Sequence, residues 1–591
     1  MNPRSTLLRG LIPALLGSML FATARAEDPR AVVVIKSADA LIGDLEHMVV
    51  DLAGKDKEWE NNVYPNIDIF LFGVDREQPI RYDQLIGGKT GRRIQMMVPI
   101  ADMDEFIQDN LDPIGIIVKE DKKDEGLYKL SDVFEGWMRE ANDYAYFAEK
   151  GHKDDVPPKI APPSNTHAEL LKKGYGTAAQ LDNGSTTPEQ RTAAFAAFRD
   201  NTLAGIQKRP DETQEAFELR KVNSEQSLET MERLFVESAL VELGWANDNT
   251  KNVGVGTFIL SAVPETSLAQ TLKLQVQEHS RFAGVAAPQD PVLAGRMNYA
   301  LGEMSTRQFE TLYKLMKTPL EQRIDGTEGL TDEQKTARKE IAGLVLDMLT
   351  SSLELGKWDG VVQITQHSGG KHTGLLGICA KDSGPVAKIL ELLPKSASGY
   401  ETELDVDSAG DVKIHKLTMT DAYPQALNDF FGDSGEVYVG AGPDAIWLSV
   451  GADAVEALKA GVAAAGKTPE GDVDPTVASL DVDLLPVLQL MNQLRKDGDF
   501  DLMATLKSRG VLEEPAPAEE GEEDPASDTA KMLQDFEWRD AAIEALDSKA
   551  DRLHIDLKRV EDRLEGETRV ESGILKAIGE LIAKFAKENL G

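Results

Sequence analysis

The chain has 591 residues, with 101 Asp and Glu against 64 Lys and Arg, a formal charge of -37 and one cysteine, Cys379. An acidic surplus of this size repels phosphate backbones and anionic membrane surfaces, which excludes nucleic acid as an expected partner. One cysteine excludes an intrachain disulfide, so stability has to come from hydrophobic cores, for which the length is ample.

Residues 1–26 read as a secretory signal peptide. Arg4 and Arg9 precede the apolar run LIPALLGSMLFA, and Ala24-Arg25-Ala26 supplies a small-x-small cleavage site. That run is too short to span a bilayer and no later run is long enough, so no transmembrane segment is expected in the mature chain. The expected product is exported, periplasmic or extracellular. Without the three arginines of the signal its charge is about -40.

Residues 27–160 are expected to form a first α+β domain. AVVVIKSADALIGDLEHMVV, 31–50, reads as a strand and then a helix capped by Ser37 or Asp39. RRIQMMVPIADMDEFIQDNL, 92–111, repeats the pattern with a cap at Asp102. PIGIIV is a third strand, and GWMREANDYAYFAEK, from Gly136, a hairpin around a polar turn. Residues 161–250 read as a Pro-rich linker and a polar helical spacer. Within them Leu228, Met231, Leu234, Phe235 and Ala239 share one helical face.

Residues 251–510 are expected to be a second, related α+β domain. Here the junction Ser261-Ala262 echoes Ser37-Ala38, a hairpin and helix follow Trp358, and a further hairpin falls where GWMREANDYAYFAEK falls in the first. Residues 511–530 read as an acidic disordered linker, and 531–591 as a hairpin and amphipathic helix completing the second domain. The stripe Ile574, Leu575, Ile578, Leu581, Ile582 and Phe585 on that helix fits packing on its own domain; a membrane surface or partner groove is the alternative. The expected architecture is thus α+β: two related domains, each a mainly antiparallel sheet packed against helices, with a helical spacer.

Gly440-Ala441-Gly442-Pro443-Asp444-Ala445 fits G-x-G-x-x-A. The following Ala445–Val450 reads as a strand, whereas a dinucleotide loop must run directly into a helix. The glycines are therefore expected at a hairpin tip, and no cofactor is expected. In HSGGKH a two-residue turn at Gly369-Gly370 would oppose His367 and His372, a pair that could chelate zinc or copper. That register places Cys379 on the opposite face as a core thiol. DVDSAGD, from Asp405, starts like a calcium loop but carries Ala409 and Lys416 where ligands are needed, so a tight turn explains it better. No G-x-S-x-G, H-E-x-x-H or S-x-x-K with its partner motifs occurs, so no catalytic residue is expected.

SAVPETSLA (Ser261 to Ala269), SRFAG (Ser280 to Gly284), the strand–turn–strand–helix unit Val437 to Leu458 and RVESGILKAIG (Arg569 to Gly579) carry a resemblance. The chain resembles large exported bacterial proteins of the planctomycete type, of unknown function, built from duplicated α+β units. The resemblance implies a fold and an address, and it carries over no catalytic residue. Two functional expectations follow beside the histidine pair. One is an exported, non-catalytic structural or interaction protein with an envelope partner. The other is a carrier that holds an apolar ligand such as a lipid between sheet and helices, which a continuous apolar cavity there would favour.

Overall fold

The computed structural model describes residues 30–85, 93–160, 170–183, 186–209, 212–367, 369–420, 423–432, 435–467, 471–496, 536–546 and 550–589. The expected signal peptide, 1–26, and the expected acidic linker, 511–530, lie outside these residues. The protein combines helices with antiparallel sheet, an α+β chain.

The first ten strands are β1 (Arg30–Ile35), β2 (Ile80–Leu85), β3 (Arg93–Pro99), β4 (Ile116–Glu120), β5 (Leu127–Asp132), β6 (Gly136–Ala141), β7 (Tyr144–Glu149), β8 (Thr177–Asp182), β9 (Ser238–Asp248) and β10 (Val253–Ala262). They hydrogen-bond in the order β4-β5-β6-β7-β3-β2-β1-β8-β9-β10, every pair antiparallel. The next ten are β11 (Leu293–Ala300), β12 (Lys357–Gln366), β13 (His372–Cys379), β14 (Tyr400–Ala409), β15 (Val412–Met419), β16 (Glu436–Ala441), β17 (Ala445–Gly451), β18 (Thr476–Asp483), β19 (Arg552–Val560) and β20 (Arg563–Val570). They pair in the order β14-β15-β16-β17-β13-β12-β11-β18-β19-β20, again all antiparallel. The second order is the first with ten added to each number. β10 pairs with β20 and joins the two ladders into one sheet, with β4 and β14 at its outer ends.

This layout redraws the expected boundaries. Residues 161–250 are no spacer, because β8 and β9 lie within them and pair with β1 and β10. The likeness of Ser37-Ala38 to Ser261-Ala262 reflects shared strand-to-helix chemistry at different places: β1 stands where β11 stands, and β10 where β20 stands. The described part of 531–591 does form a hairpin, β19–β20, and a helix.

The helices used below are α1 (Ala38–Glu46), α2 (Met103–Glu105), α3 (Pro188–Gly205), α4 (Gln214–Glu237), α5 (Ser267–Leu274), α6 (Glu303–Gly326), α7 (Asp332–Ser352), α8 (Pro385–Ser396), α9 (Gln425–Phe431), α10 (Ala454–Ala465), α11 (Leu484–Lys496), α12 (Phe536–Ala545) and α13 (Ser572–Asn589). The π-helical turns His47–Leu52 and Phe106–Leu111 continue α1 and α2. Caps fix where several begin. Ser37 accepts from the Ala40 N–H at 3.0 Å, Asp102 from Glu105 at 3.0 Å, and Thr187 with Gln190 and Thr331 with Gln334 form capping boxes. The β6–β7 turn places Asn142 and Asp143 at φ 53° and 61°, the left-handed pair a two-residue hairpin needs.

α13 turns Leu575, Gly579, Ala583 and Ala586 onto the first ten strands' helices, while Ile578 of the expected stripe is 38% exposed. Leu575 packs with Met48, and Ala583 and Ala586 with Val49 and Trp59. Gly579 permits this approach: a Cβ there would stand 2.1 Å from the Met48 carbonyl oxygen. The helix thus ties the end of the second ladder to the start of the first.

Candidate functional site

Side chains alternate across a strand, and directly paired residues share a face. One face of the central strands is charged: Thr257, Glu567, Asp556, Ser479 and Arg296 follow one another across β10, β20, β19, β18 and β11. Their sequence neighbours point the other way and are apolar. One row runs Leu243, Phe258, Gly566, Leu557, Ala478, Met297, Gly360, Ile378, Ile446, Ala441. The row beside it runs Trp245, Gly256, Thr568, Ile555, Leu480, Gly295, Val362, Leu376, Leu448, Val439. In two rows across ten strands the only polar side chain is that of Thr568.

Helices cover the rims of this face. On one side Leu268 and Leu272 of α5 pack on Leu260 and Leu564, and Phe309 of α6 meets Trp358 edge-on at 5.7 Å. Further along, Val386 and Leu390 of α8 close over Val439 and Ile446. On the other side Ile574 and Leu575 of α13 pack with Leu553 and Val570, Leu484, Leu485 and Leu488 of α11 pack with Ala545 and Leu546, and Phe431 of α9 lies over Gly374. Between the rims the floor stays open. Leu243, Met297, Ile378, Ile555 and Leu448 are 39%, 42%, 40%, 36% and 37% exposed. Contiguous uncovered apolar area of this kind marks a ligand groove or an interaction surface rather than ordinary surface scatter.

The trough passes over the β12–β13–β17 strands at the α9 end. There a cavity of about 310 Å³ is lined by Val362, Ile364, Leu376 and Leu448 of the floor and by Tyr423, Leu427 and Phe431. This volume lies at the lower end of small-molecule sites, roughly 300–1,000 Å³. Burial pushes the Tyr423 phenol up to about 12, so it stays neutral. Gln363, Tyr423 and Ser449 are the polar residues of the lining, and the rest are apolar or glycine.

The expected histidine pair falls differently. Gln366, not His367, stands opposite His372, because the ladder is one residue out of the expected register. The connection is a longer loop in which the His367 N–H donates to the Lys371 carbonyl. His372 is buried and stacks on Phe430 at 3.8 Å, and its Nδ1–H donates to the Phe430 carbonyl. Burial lowers its pKa against the opposing pull of the Phe430 carbonyl. His367 Nε2 instead meets the Thr373 hydroxyl at 2.7 Å. Among the described residues no group of three or more His, Cys, Asp or Glu is placed to hold a metal ion. Cys379 lies on the other face and packs against the core around Trp447 and Phe282; burial pushes its thiol up to about 12.

The glycine run at Gly440–Gly442 joins β16 to β17, and α10 begins only at Ala454. Asp444 at this tip pairs with Arg281 at 3.0 Å, so the turn is structural. Asp405 to Asp411 belongs to the β14–β15 hairpin, where Asp407 pairs with Lys459.

The trough was missed in the sequence, although its signal is there. RLHIDLKRV and RLEGETRV alternate apolar or glycine with charge, as a half-covered sheet requires. No known protein family, curated protein or solved structure matches the chain. Among the described residues no helix is long and apolar enough to cross a membrane.

Proposed function

We propose that this is an exported, non-catalytic carrier of two related ten-strand domains, which holds an apolar, chain-like ligand in the trough between sheet and helices. The observation that carries the reading is the uncovered pair of apolar rows bordered by helices. The floor itself argues for the ligand class. It is a sheet face whose main-chain groups are spent in the ladder, so an extended peptide laid on it would bury N–H and C=O groups without partners, at a cost of about 1–3 kcal/mol each. An alkyl chain carries no such groups. The charge of -37 further favours a neutral or cationic head group over an anionic one.

The test is displacement of N-phenyl-1-naphthylamine, a neutral probe of apolar sites, by long-chain alcohols. Ile555→Asp and Leu448→Asp, each at a half-exposed floor position, are expected to weaken binding roughly tenfold or more, since an ionised side chain must then be desolvated. Each side chain is about two-thirds covered by its neighbours, so both variants are expected to lower the melting temperature, and binding is compared at temperatures where they are folded. Probe binding that is absent from the unsubstituted protein, or indifferent to both substitutions, would leave a structural or interaction role in the envelope as the better reading.

A further inference from the structure

The apolar row does not stop at β9. Leu243 pairs with Ala179, Ala179 with Val33, Val33 with Tyr82, and Tyr82 with Met96. Phe147 follows on β7, buried with Phe106 beneath the helix that continues α2. At the other end the row passes from Ile378 to Ile446, beneath α8. The helices after β3 and β13 thus close opposite ends of one row, and Val33, Tyr82, Ala179 and Met96 between them are only half-buried.

This row also maps onto itself when strand numbers are shifted by ten. Leu243 on β9 answers to Leu557 on β19, Ala179 on β8 to Ala478 on β18, and Met96 on β3 to Ile378 on β13. The centre of the mapping is the contact of Phe258 with Gly566 across the β10–β20 pairing. Two independent pockets would each be closed where the ladders meet. Here the meeting point is the middle of the row, and only one of its two strands puts a side chain there: Phe258 of β10 packs over Gly566 of β20, where a Cβ would come to 3.2 Å from the Phe258 Cβ. Twelve strands separate the two closing helices' strands inclusive of β3 and β13, which at about 4.8 Å per strand is roughly 50 Å of floor.

We infer that the trough is one site shared by both ladders, built for a single long hydrocarbon chain lying across the β10–β20 seam with one part in each half. The inference rests on the carrier reading and adds to it the length, position and stoichiometry of the ligand. A peptide or a protein segment fits less well, since apart from the Tyr82 phenol the row is lined by apolar side chains and glycine, too few hydrogen-bonding groups for a main chain laid along it.

The test loads the full chain, from cyclodextrin, with decanol or with octacosanol and counts bound molecules by native mass spectrometry. The expected result is one octacosanol per chain and up to two decanols. Gly566→Trp should abolish octacosanol binding and leave decanol binding in place, which also shows that the variant is folded. On the unsubstituted protein, a long dialkyl probe with a diazirine at each end should cross-link one peptide from the first ten strands and one from the second in the same molecule. Two octacosanols per chain, octacosanol binding unchanged by Gly566→Trp, or both ends always captured within one half would overturn the shared site while keeping the carrier reading. Failure of every chain length to bind would overturn both.

Discussion

At the scale of single residues, the buried polar groups hold junctions together. Arg191 on α3 is 1% exposed and donates to the carbonyls of Asn183, Thr186 and Val236. It fastens the β8–α3 loop to the α4–β9 junction, and burial lowers its pKa against the pull of Glu189. Arg191→Met would leave three carbonyls without this donor. A loss of about 3 kcal/mol or more is expected in urea unfolding, with trough binding unchanged at temperatures where the variant is folded. Cys379 makes a chemical prediction. With its thiol at about 12, almost no thiolate exists at mildly alkaline pH, so reaction with iodoacetamide should be very slow in the native state and fast once the chain unfolds. Rapid native labelling would contradict the packed position against Trp447.

At the scale of elements, the β12–β13 hairpin shows where sequence reasoning has its limit. Both strands and the turn glycines were legible, but the register was not. Gly369 and Gly370 both take positive φ, 115° and 81°, so the glycines mark a turn without fixing how many residues it holds. A slip of one residue is enough to move His367 out from opposite His372. The start of α11 supplies a second element-scale prediction. Asp551, just before β19, is buried, and its carboxylate accepts from the Leu485 N–H at 2.5 Å. Asp483, at the end of β18, is bonded to it; burial first, then that bond and the Asp551 charge, lift the Asp483 carboxyl from 3.8 to about 7. Arg552, which binds Asp290 and Asp481, opposes the shift only in part. The folded chain therefore holds a proton that the unfolded chain releases between pH 3.8 and about 7. The stability this contributes is complete below the lower value and is lost as pH rises through the upper one. Melting temperature followed across that range should fall with rising pH for the native sequence, and should fall less for Asp483→Asn.

At the scale of the whole molecule, the class of fold was legible and the boundaries were not. Short apolar runs bounded by turn residues recur along the chain, as in VVVI, MMVP and IWLSV, and with few helices between them this suffices for an antiparallel α+β reading. It does not say which strand lies beside which. β8 and β9 were hidden because TAAQLD and SALVELGWAND flank long polar helices, and helix-forming residues dominate that stretch. The trough was hidden for a related reason. Alternation identifies the apolar face of each strand, but whether a helix lies over that face is decided by segments far away in the chain. The two functional substitutions at Ile555 and Leu448 probe floor that distant strands of the second ladder build together, and the seam substitution at Gly566 probes a surface that exists only when strands from both ladders stand side by side.

The pairing of Gly254 with Val570 also sets an order of events during synthesis. The partners are on the order of three hundred residues apart, so closing them costs loop entropy that only the complete sheet repays. While the chain emerges, β10 stands as a bare edge with its hydrogen-bonding groups unpaired, and β18 is the facing edge of the second ladder. Both wait for one short hairpin, β19–β20, which is made after either of them. A chain that stops short of Arg552 keeps two sticky edges and no C-terminal clasp on Met48. The two edges exposed in the partly made chain disappear into the middle of the sheet once β20 and β19 pair with them.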